Sequence, residues 1–406
     1  MPVSADLSGT AGCRHRQDLR HYQTGHCLNK PFRIMISAGE ASGDMHGALA
    51  LRELKKQGLE FTSFGMGGPK LQAEGTEIVL DCRELSVIGI FEVLIQYRKL
   101  LRKLEYLRDS LRREKPDLLI IVDYPDFNLK LAETARELNV PVLFYISPQV
   151  WAWREKRVQR IGSLVSMMAV IFPFEVRFYE DAGVPVRYVG HPLVDEVHTE
   201  LSREQAREAF ALNDGDTVLG ILPGSRNGEV KRVLPIMLAA LDELKKTRPD
   251  IKVLLPAAPT LDRSLLDGLL AAHADSVQVL DGRAYDVMQA CDAVMTASGT
   301  ATLETAMMGV PMTIVYRVNP VSYAIMSRMI RIPWIGLVNI VAEKPVVKEF
   351  LQKRAKPRDI AREVKRLLED QSYADDMRAE LRIVREKMGE GGGSANVARL
   401  IRDMLN

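Results

Sequence analysis

The sequence has few cysteines, almost no net charge and no long apolar run. Four cysteines in 406 residues are too few for a disulfide framework and fit a reducing compartment. Lys and Arg number 55 against 53 Asp and Glu, a formal charge of +2, so no chain-wide field points to nucleic acid. No stretch reaches the roughly 18 apolar residues of a membrane-spanning helix. Any electrostatic function must therefore be local.

Two cofactor signatures are also missing. The chain has neither a G-x-G-x-x-G followed by an acid about 20 residues later nor a G-x-x-x-x-G-K-[ST] sequence, so NAD and P-loop interpretations are weak. We predict no cofactor and no metal site in the folded chain.

Residues 1–30 lack the apolar region of a secretory signal. We expect 1–31 to be a disordered or loosely ordered leader. A metal site in this leader is an open alternative, although the spacing fits no zinc pattern. Its candidate ligands are Cys13, His15, His21, His26 and Cys27.

The rest of the chain alternates apolar strands with amphipathic helices. Residues 32–37 read as a buried strand that a Gly-containing turn joins to a helix, and the same unit recurs through both halves. Strands that are apolar throughout favour a parallel sheet covered on both faces. The fold class is therefore α/β, with two doubly wound halves and a cleft between them at the carboxyl ends of the strands.

The stretch 193–216 is polar and lacks strand signals, so we place the domain boundary there. The predicted divisions are a first domain at 32–200, a second at 201–385 and a C-terminal helical tail at 386–406.

The loop LPGSRNGEV, at 222–230, follows a predicted strand and leads into a helix. Gly224 lets a phosphate approach the backbone, Ser225 can donate a hydrogen bond, and Arg226 offers a bidentate fork beside the helix N-terminus. An anion site is the functional interpretation, and a plain N-cap turn with a surface arginine is the alternative.

The loop TASGTATLE, at 296–304, has the same character. Ser298, Gly299 and Thr300 precede a helix, and Glu304 could accept hydrogen bonds from ribose hydroxyls or simply be a favourable first-turn acid. Two such loops in one half favour a nucleotide diphosphate.

Carboxylates follow two predicted strands of the first half. Glu40 and Asp44 lie in one turn, where Ser42 is also predicted to bind substrate, and Asp123 and Asp126 lie in the other. At the edge of a cleft they are candidates for a general base, although each alone could be a turn or capping residue.

An apolar segment in the first half runs directly into a basic cluster. This arrangement suits an interfacial site under anionic head groups or an entrance for acyl chains, and a core helix with a solvated basic end is the alternative. The predicted contact residues are Val87, Ile88, Ile90, Phe91, Leu94, Ile95, Arg98, Lys99, Arg102 and Lys103.

Taken together, these residues resemble the lipid-A-disaccharide synthase family from about residue 32 to 385. The resemblance rests on SAGEASGD, DYPDFN, YISPQVWAWR, GHPLVD, LPGSR, ASGTATLE and LVNIVAEKPVVKEFLQ. Many relatives have DAPDFN where this chain has Tyr124, a difference that leaves both carboxylates in place.

The resemblance implies a GT-B glycosyltransferase with two Rossmann-like domains and a metal-independent inverting mechanism. The implied reaction joins UDP-2,3-diacylglucosamine and 2,3-diacylglucosamine 1-phosphate (lipid X) into a β(1→6)-linked disaccharide 1-phosphate and releases UDP, on the route to lipid A of lipopolysaccharide. It further implies a cytoplasmic protein held peripherally on the anionic surface of the inner membrane. A homodimer is compatible with these observations and is not required by them.

The same resemblance implies roles for single residues. Asp123 would be the base toward the acceptor 6-hydroxyl, and Arg226 would neutralise the pyrophosphate. Glu304 would lie near the ribose and Asn339 near the nucleotide, and Glu40 would help to place the acceptor.

Two other functions share these features. Another GT-B enzyme that uses a UDP-sugar, such as a UDP-N-acetylglucosamine 2-epimerase, would not need the segment at 86–103. A non-catalytic nucleotide-sugar or lipid binding protein would use the same cleft without turnover.

Overall fold

The computed structural model describes residues 30–85, 92–148, 156–319 and 333–406, without the side chains of 85, 92–97 and 156. The possible metal ligands of the leader therefore lie outside the described residues. From residue 32 to the C-terminus the chain forms one compact unit.

The first half of the chain builds a seven-stranded parallel sheet in the order β3-β2-β1-β4-β5-β6-β7. Its strands are β1 (Phe32–Ala38), β2 (Phe61–Gly67), β3 (Glu77–Asp81), β4 (Leu118–Val122), β5 (Val142–Tyr145), β6 (Met167–Val170) and β7 (Val186–Tyr188). Ala38 pairs with Val122, so the residues that follow β1 and β4 emerge side by side.

Helices cover both faces of this sheet. Strand β4 is buried at every position, which requires cover on both faces because successive side chains of a strand point to opposite sides. They are α1 (Ala41–Lys56), α2 (Pro69–Ala73), α3 (Glu92–Glu114), α4 (Pro125–Glu137), α5 (Lys156–Gly162) and α6 (Glu175–Glu180).

The second half builds a six-stranded parallel sheet in the order β10-β9-β8-β11-β12-β13. Its strands are β8 (Val218–Leu222), β9 (Lys252–Ala257), β10 (Gln278–Asp281), β11 (Ala293–Thr296), β12 (Met312–Tyr316) and β13 (Glu349–Leu351). Thr296 pairs with Leu222, which brings the 222–230 and 296–304 loops to the same edge. The predicted fold class, two Rossmann-like halves, is confirmed.

The remaining helices connect the two sheets, cover the second one and form the C-terminus. They are α7 (Leu193–Glu196), α8 (Arg203–Ala209), α9 (Asn227–Lys245), α10 (Arg263–Leu270), α11 (Ala284–Ala290), α12 (Thr300–Met307), α13 (Leu337–Ala342), α14 (Pro357–Glu369), α15 (Gln371–Lys387) and α16 (Gly393–Leu405).

The polar stretch between the two sheets folds as α7 and α8 and contains no strand. The end of the chain returns to the first half. The side chain of Asn396 donates to the carbonyl of Val189 (2.8 Å), and the side chain of Gln57, at the C-cap of α1, donates to the carbonyl of Ala395 (3.0 Å). Helix α16 therefore packs on the first half, although it follows the second in sequence.

Within the described residues, no helix combines the length and the apolar character needed to cross a membrane.

Candidate functional site

Asp123 and Glu40 lie at the carboxyl ends of the neighbouring strands β4 and β1. Asp123 follows β4 directly, and its backbone N–H donates to the carbonyl of Tyr145 at the end of β5 (3.0 Å). Glu40 is exposed and occupies the N-cap position of α1. The structure thus brings together two of the carboxylates that the sequence singles out.

A buried amide holds the backbone at Asp123. Asp123 and Tyr124 both have left-handed φ angles, 46° and 47°, which residues other than glycine rarely adopt. The Asn128 side chain donates to the carbonyl of Asp123 (2.8 Å) and accepts from the Ser37 hydroxyl (2.6 Å). Asn128 is not among the site residues predicted from the sequence, although an Asn among the apolar positions of the predicted helix could have indicated it.

Burial raises the pKa of Asp123, and the negative charge of Glu40 raises it further, against a hydrogen bond from the backbone of Tyr124 that lowers it. A carboxylate with an increased proton affinity, at the edge of a cleft, is suited to act as a general base.

The ring of Tyr124 packs on Gly39, where a β-carbon would overlap its Cγ and Cδ1 atoms. Burial raises the pKa of the Tyr124 hydroxyl, and the charges of Glu40 and Asp126 add to this effect. Tyr124 therefore lies among the predicted site carboxylates.

Three other predicted residues of the first half have different surroundings. The Asp44 carboxylate is buried and accepts from the backbone N–H groups of Gly68, Lys70 and Leu71 (2.7, 3.0 and 3.1 Å), which caps α2. Ser42 is exposed in the first turn of α1. Asp126 has a side chain that is 86% exposed and pairs with Arg157 at 2.5 Å.

In the 222–230 loop, the side chain of Glu229 folds back over Gly224, where a β-carbon would overlap its carboxylate. Gly224 has a φ of 109°, a conformation that favours glycine. Burial raises the pKa of Glu229, while Arg226 and the backbone N–H of Ser225 lower it. Arg226 is exposed at the N-cap of α9, so its guanidinium is accessible to an anion from solvent.

The 296–304 loop is anchored on one side and open on the other. The Ser298 hydroxyl donates to the carbonyl of Ile335 (3.1 Å), and Gly299 has a φ of 150° at the N-cap of α12. Thr300 is exposed at the start of that helix. The loop presents a helix N-terminus of the kind that binds phosphates.

The two remaining predicted residues of the second half are more enclosed. Glu304 accepts from the hydroxyl of Tyr285 (3.2 Å), and burial raises its pKa. Asn339 is buried; its side chain donates to Val347 (2.7 Å) and Glu349 (2.9 Å) and accepts from the Val347 N–H (2.8 Å). These bonds join α13 to β13, which gives Asn339 a structural role that the sequence did not indicate.

Glu196, on the connecting helix α7, lies close to both halves. Its Oε1 atom is 3.9 Å from Nδ1 of His46 on α1. Burial raises the pKa of Glu196, and the carboxylate of Glu304 on α12 raises it further. Burial also lowers the pKa of His46 to about 4. Helix α1, which follows β1, and helix α12, which begins within the 296–304 loop, therefore approach each other around Glu196.

The apolar-basic segment is described only in part. Val87, Ile88, Ile90 and Phe91 lie outside the described residues, as do the side chains of Leu94 and Ile95. On α3, by contrast, three of the predicted basic side chains, Arg98, Lys99 and Arg102, are exposed. The fourth, Lys103, is mostly covered and pairs with the carboxylate of Glu84 at 2.7 Å.

In the part of the chain that the structure describes, no three His, Cys, Asp or Glu side chains are grouped as metal ligands.

Comparison with known proteins gives a consistent result. The family model described as "Lipid-A-disaccharide synthetase" matches residues 34–398. A lipid-A-disaccharide synthase of Geobacter sulfurreducens is 49% identical over 377 residues, which cover 93% of this chain and 98% of that protein.

Solved structures with the same fold have much lower sequence identity. The calicheamicin glycosyltransferase CalG4 has a TM-score of 0.60 at 15% identity and covers 93% of this chain and 98% of its own. A UDP-GlcNAc 2-epimerase from Neisseria meningitidis, solved with UDP-GlcNAc, has a TM-score of 0.57 at 15% identity, with coverages of 92% and 99%. At this identity the likeness concerns the fold alone.

Proposed function

This chain belongs to the lipid-A-disaccharide synthase family, and we infer that it is a glycosyltransferase that forms the disaccharide of lipid A. The observation that carries this conclusion is the family match, which includes both halves and the cleft-edge residues of each. Its substrates are a UDP-sugar and lipid X. We propose that the donor is UDP-2,3-diacylglucosamine.

Asp123 is the general base of the proposed mechanism. Its carboxylate takes the proton from the acceptor 6-hydroxyl as that oxygen attacks C1 of the donor sugar from the face opposite UDP. The bond between C1 and the diphosphate oxygen breaks, and the electron pair leaves with UDP. Attack from the opposite face inverts C1 and gives the β linkage. The raised pKa of Asp123 supports this role, because a shift of the pKa toward the working pH makes a carboxylate a better base.

The leaving diphosphate needs positive charge, which we assign to Arg226 and to the N-termini of α9 and α12. Arg226 is exposed at the start of α9, and the pairing of Thr296 with Leu222 supports a common anion site, because it puts both loops at one sheet edge. Fixed donors aimed at the developing charge are a large contribution to such catalysis. Glu304, beside Tyr285, is then the acceptor for the ribose hydroxyls.

The test is a transfer assay with UDP-2,3-diacylglucosamine and lipid X in buffer containing EDTA, with the product identified by mass spectrometry. We expect the disaccharide 1-phosphate and UDP. The Asp123→Asn variant should lose about 10³-fold in kcat while its Kd for UDP is unchanged. The matched control is Asp267→Asn, on the exposed side of α10.

If the wild-type protein binds both lipids and forms no product, it is a binding protein and the assignment is wrong. Product that forms only without EDTA would contradict the metal-independent mechanism.

A further inference from the structure

A groove of about 650 Å³ lies between α6 of the first half and residues 333–343 of the second. Aromatic, proline and aliphatic side chains form much of its lining. They are Pro173, Phe174, Phe178, Pro333, Trp334 and Ile340. Its volume falls within the range of small-molecule pockets, about 300–1,000 Å³.

The groove adjoins the proposed active site from both halves. Helix α6 follows β6, which lies two strands from β4 and thus about 10 Å along the sheet from the strand that precedes Asp123. The other wall is bonded to the proposed nucleotide loop, because the Ser298 hydroxyl donates to the carbonyl of Ile335, next to Trp334. A ligand with its diphosphate at the 296–304 loop therefore has this groove beside it.

The lining favours an uncharged, apolar occupant. Phe178 is a large apolar side chain that is 37% exposed, and covering such surface is favourable. The charged residues of the lining are Arg177, Asp181 and Glu343. One cation against two carboxylates does not attract a phosphate head group, whereas a hydrocarbon chain needs no counter-charge.

We propose that this groove binds a fatty acyl chain of the UDP-diacylglucosamine donor. The proposal rests on the proposed function, which supplies a donor with two such chains. It assigns the chain to the donor rather than to the acceptor because the second wall is bonded to the nucleotide loop.

The test compares the Kd of two UDP-diacylglucosamines, one with long and one with short acyl chains, in the same detergent and without acceptor. In Phe178→Ser, the Kd of the long-chain donor should rise about tenfold, because apolar contact is lost. The Kd of the short-chain donor and of UDP itself should not change. The matched control is Ile383→Ser on α15, since Ile383 is similarly exposed, at 43%.

A second variant, Ile340→Phe, adds bulk to the other wall and should move the preferred chain length downward. Equal changes for both donors, no change for either, or the same loss in Ile383→Ser would overturn the proposal. The outcome is separate from that of the proposed function, because absence of disaccharide when lipid X is added refutes the function while the Kd values still test the groove.

Discussion

The ring of Tyr124 lies directly on the backbone of Gly39, so that the position before Glu40 has no room for a side chain. This contact joins the turn after β1 to the turn after β4, the two segments that carry the proposed base and the carboxylate that raises its pKa. The spacing of Glu40 and Asp123 thus depends on a glycine that contacts no substrate in the proposed mechanism.

We expect Gly39→Ala to lower kcat at least tenfold and to lower the free energy of unfolding by about 1–3 kcal/mol, because the new methyl group displaces the Tyr124 ring. The double variant Gly39→Ala/Tyr124→Ala should regain the values of Tyr124→Ala, since the overlap is then gone. Denaturant unfolding measures the free energy of unfolding, and the transfer assay measures kcat. Additive losses in the double variant would show that the ring is not the cause.

The Glu40→Gln variant should shift the acid limb of the pH profile of kcat to lower pH. The base must be deprotonated, and the charge of Glu40 raises the pKa of Asp123 in addition to the larger effect of burial. Removing that charge lowers the pKa, so activity persists to lower pH. The matched control is Glu60→Gln, exposed just before β2 at the opposite edge of the sheet. An acid limb at the same pH in Glu40→Gln would show that the charge of Glu40 does not affect the pKa of the base.

The Asp44→Ala variant should be less stable by about 2–3 kcal/mol, because three backbone N–H groups at the start of α2 lose their acceptor. The Kd for UDP should not change. Chemical denaturation and calorimetry measure the two quantities, with Asp44→Asn as the variant that keeps one acceptor oxygen. Unchanged stability with a higher KM for lipid X would instead support the predicted substrate contact.

We propose that α3 contacts an anionic membrane surface. Arg98, Lys99 and Arg102 are exposed there, and Leu101 and Tyr106 are exposed apolar side chains on the same helix. Each basic residue near an anionic membrane contributes about 1 kcal/mol to the binding free energy. Replacing all three with Ser should therefore weaken binding to phosphatidylglycerol vesicles about 100-fold in a sedimentation assay.

The matched control for this membrane test replaces Arg112, Arg113 and Lys115, which are exposed at the other end of α3 and just beyond it. Equal losses in both triple variants would mean that overall charge, not this surface, determines binding.

The sequence by itself determined the fold class and identified the loops to which we assign the anion site. Strands such as β4 are apolar at every position and alternate with amphipathic helices, so a parallel sheet could be predicted from local pattern alone. The glycine and hydroxyl residues at 224–225 and 298–300 could likewise be identified, because a helix N-terminus that binds anions is a local feature of the chain.

Only the tertiary structure decided which side chains are free to act. Asp44 and Asn339 have the residue types of a binding site, yet their polar atoms bond to the backbone of other elements. The groove between Phe178 and Trp334 likewise joins residues far apart in sequence. These contacts depend on how the elements pack, and packing between distant segments leaves no periodic signal in the sequence. Local patterns therefore predict the elements, and tertiary packing determines which of their polar groups remain available to a ligand.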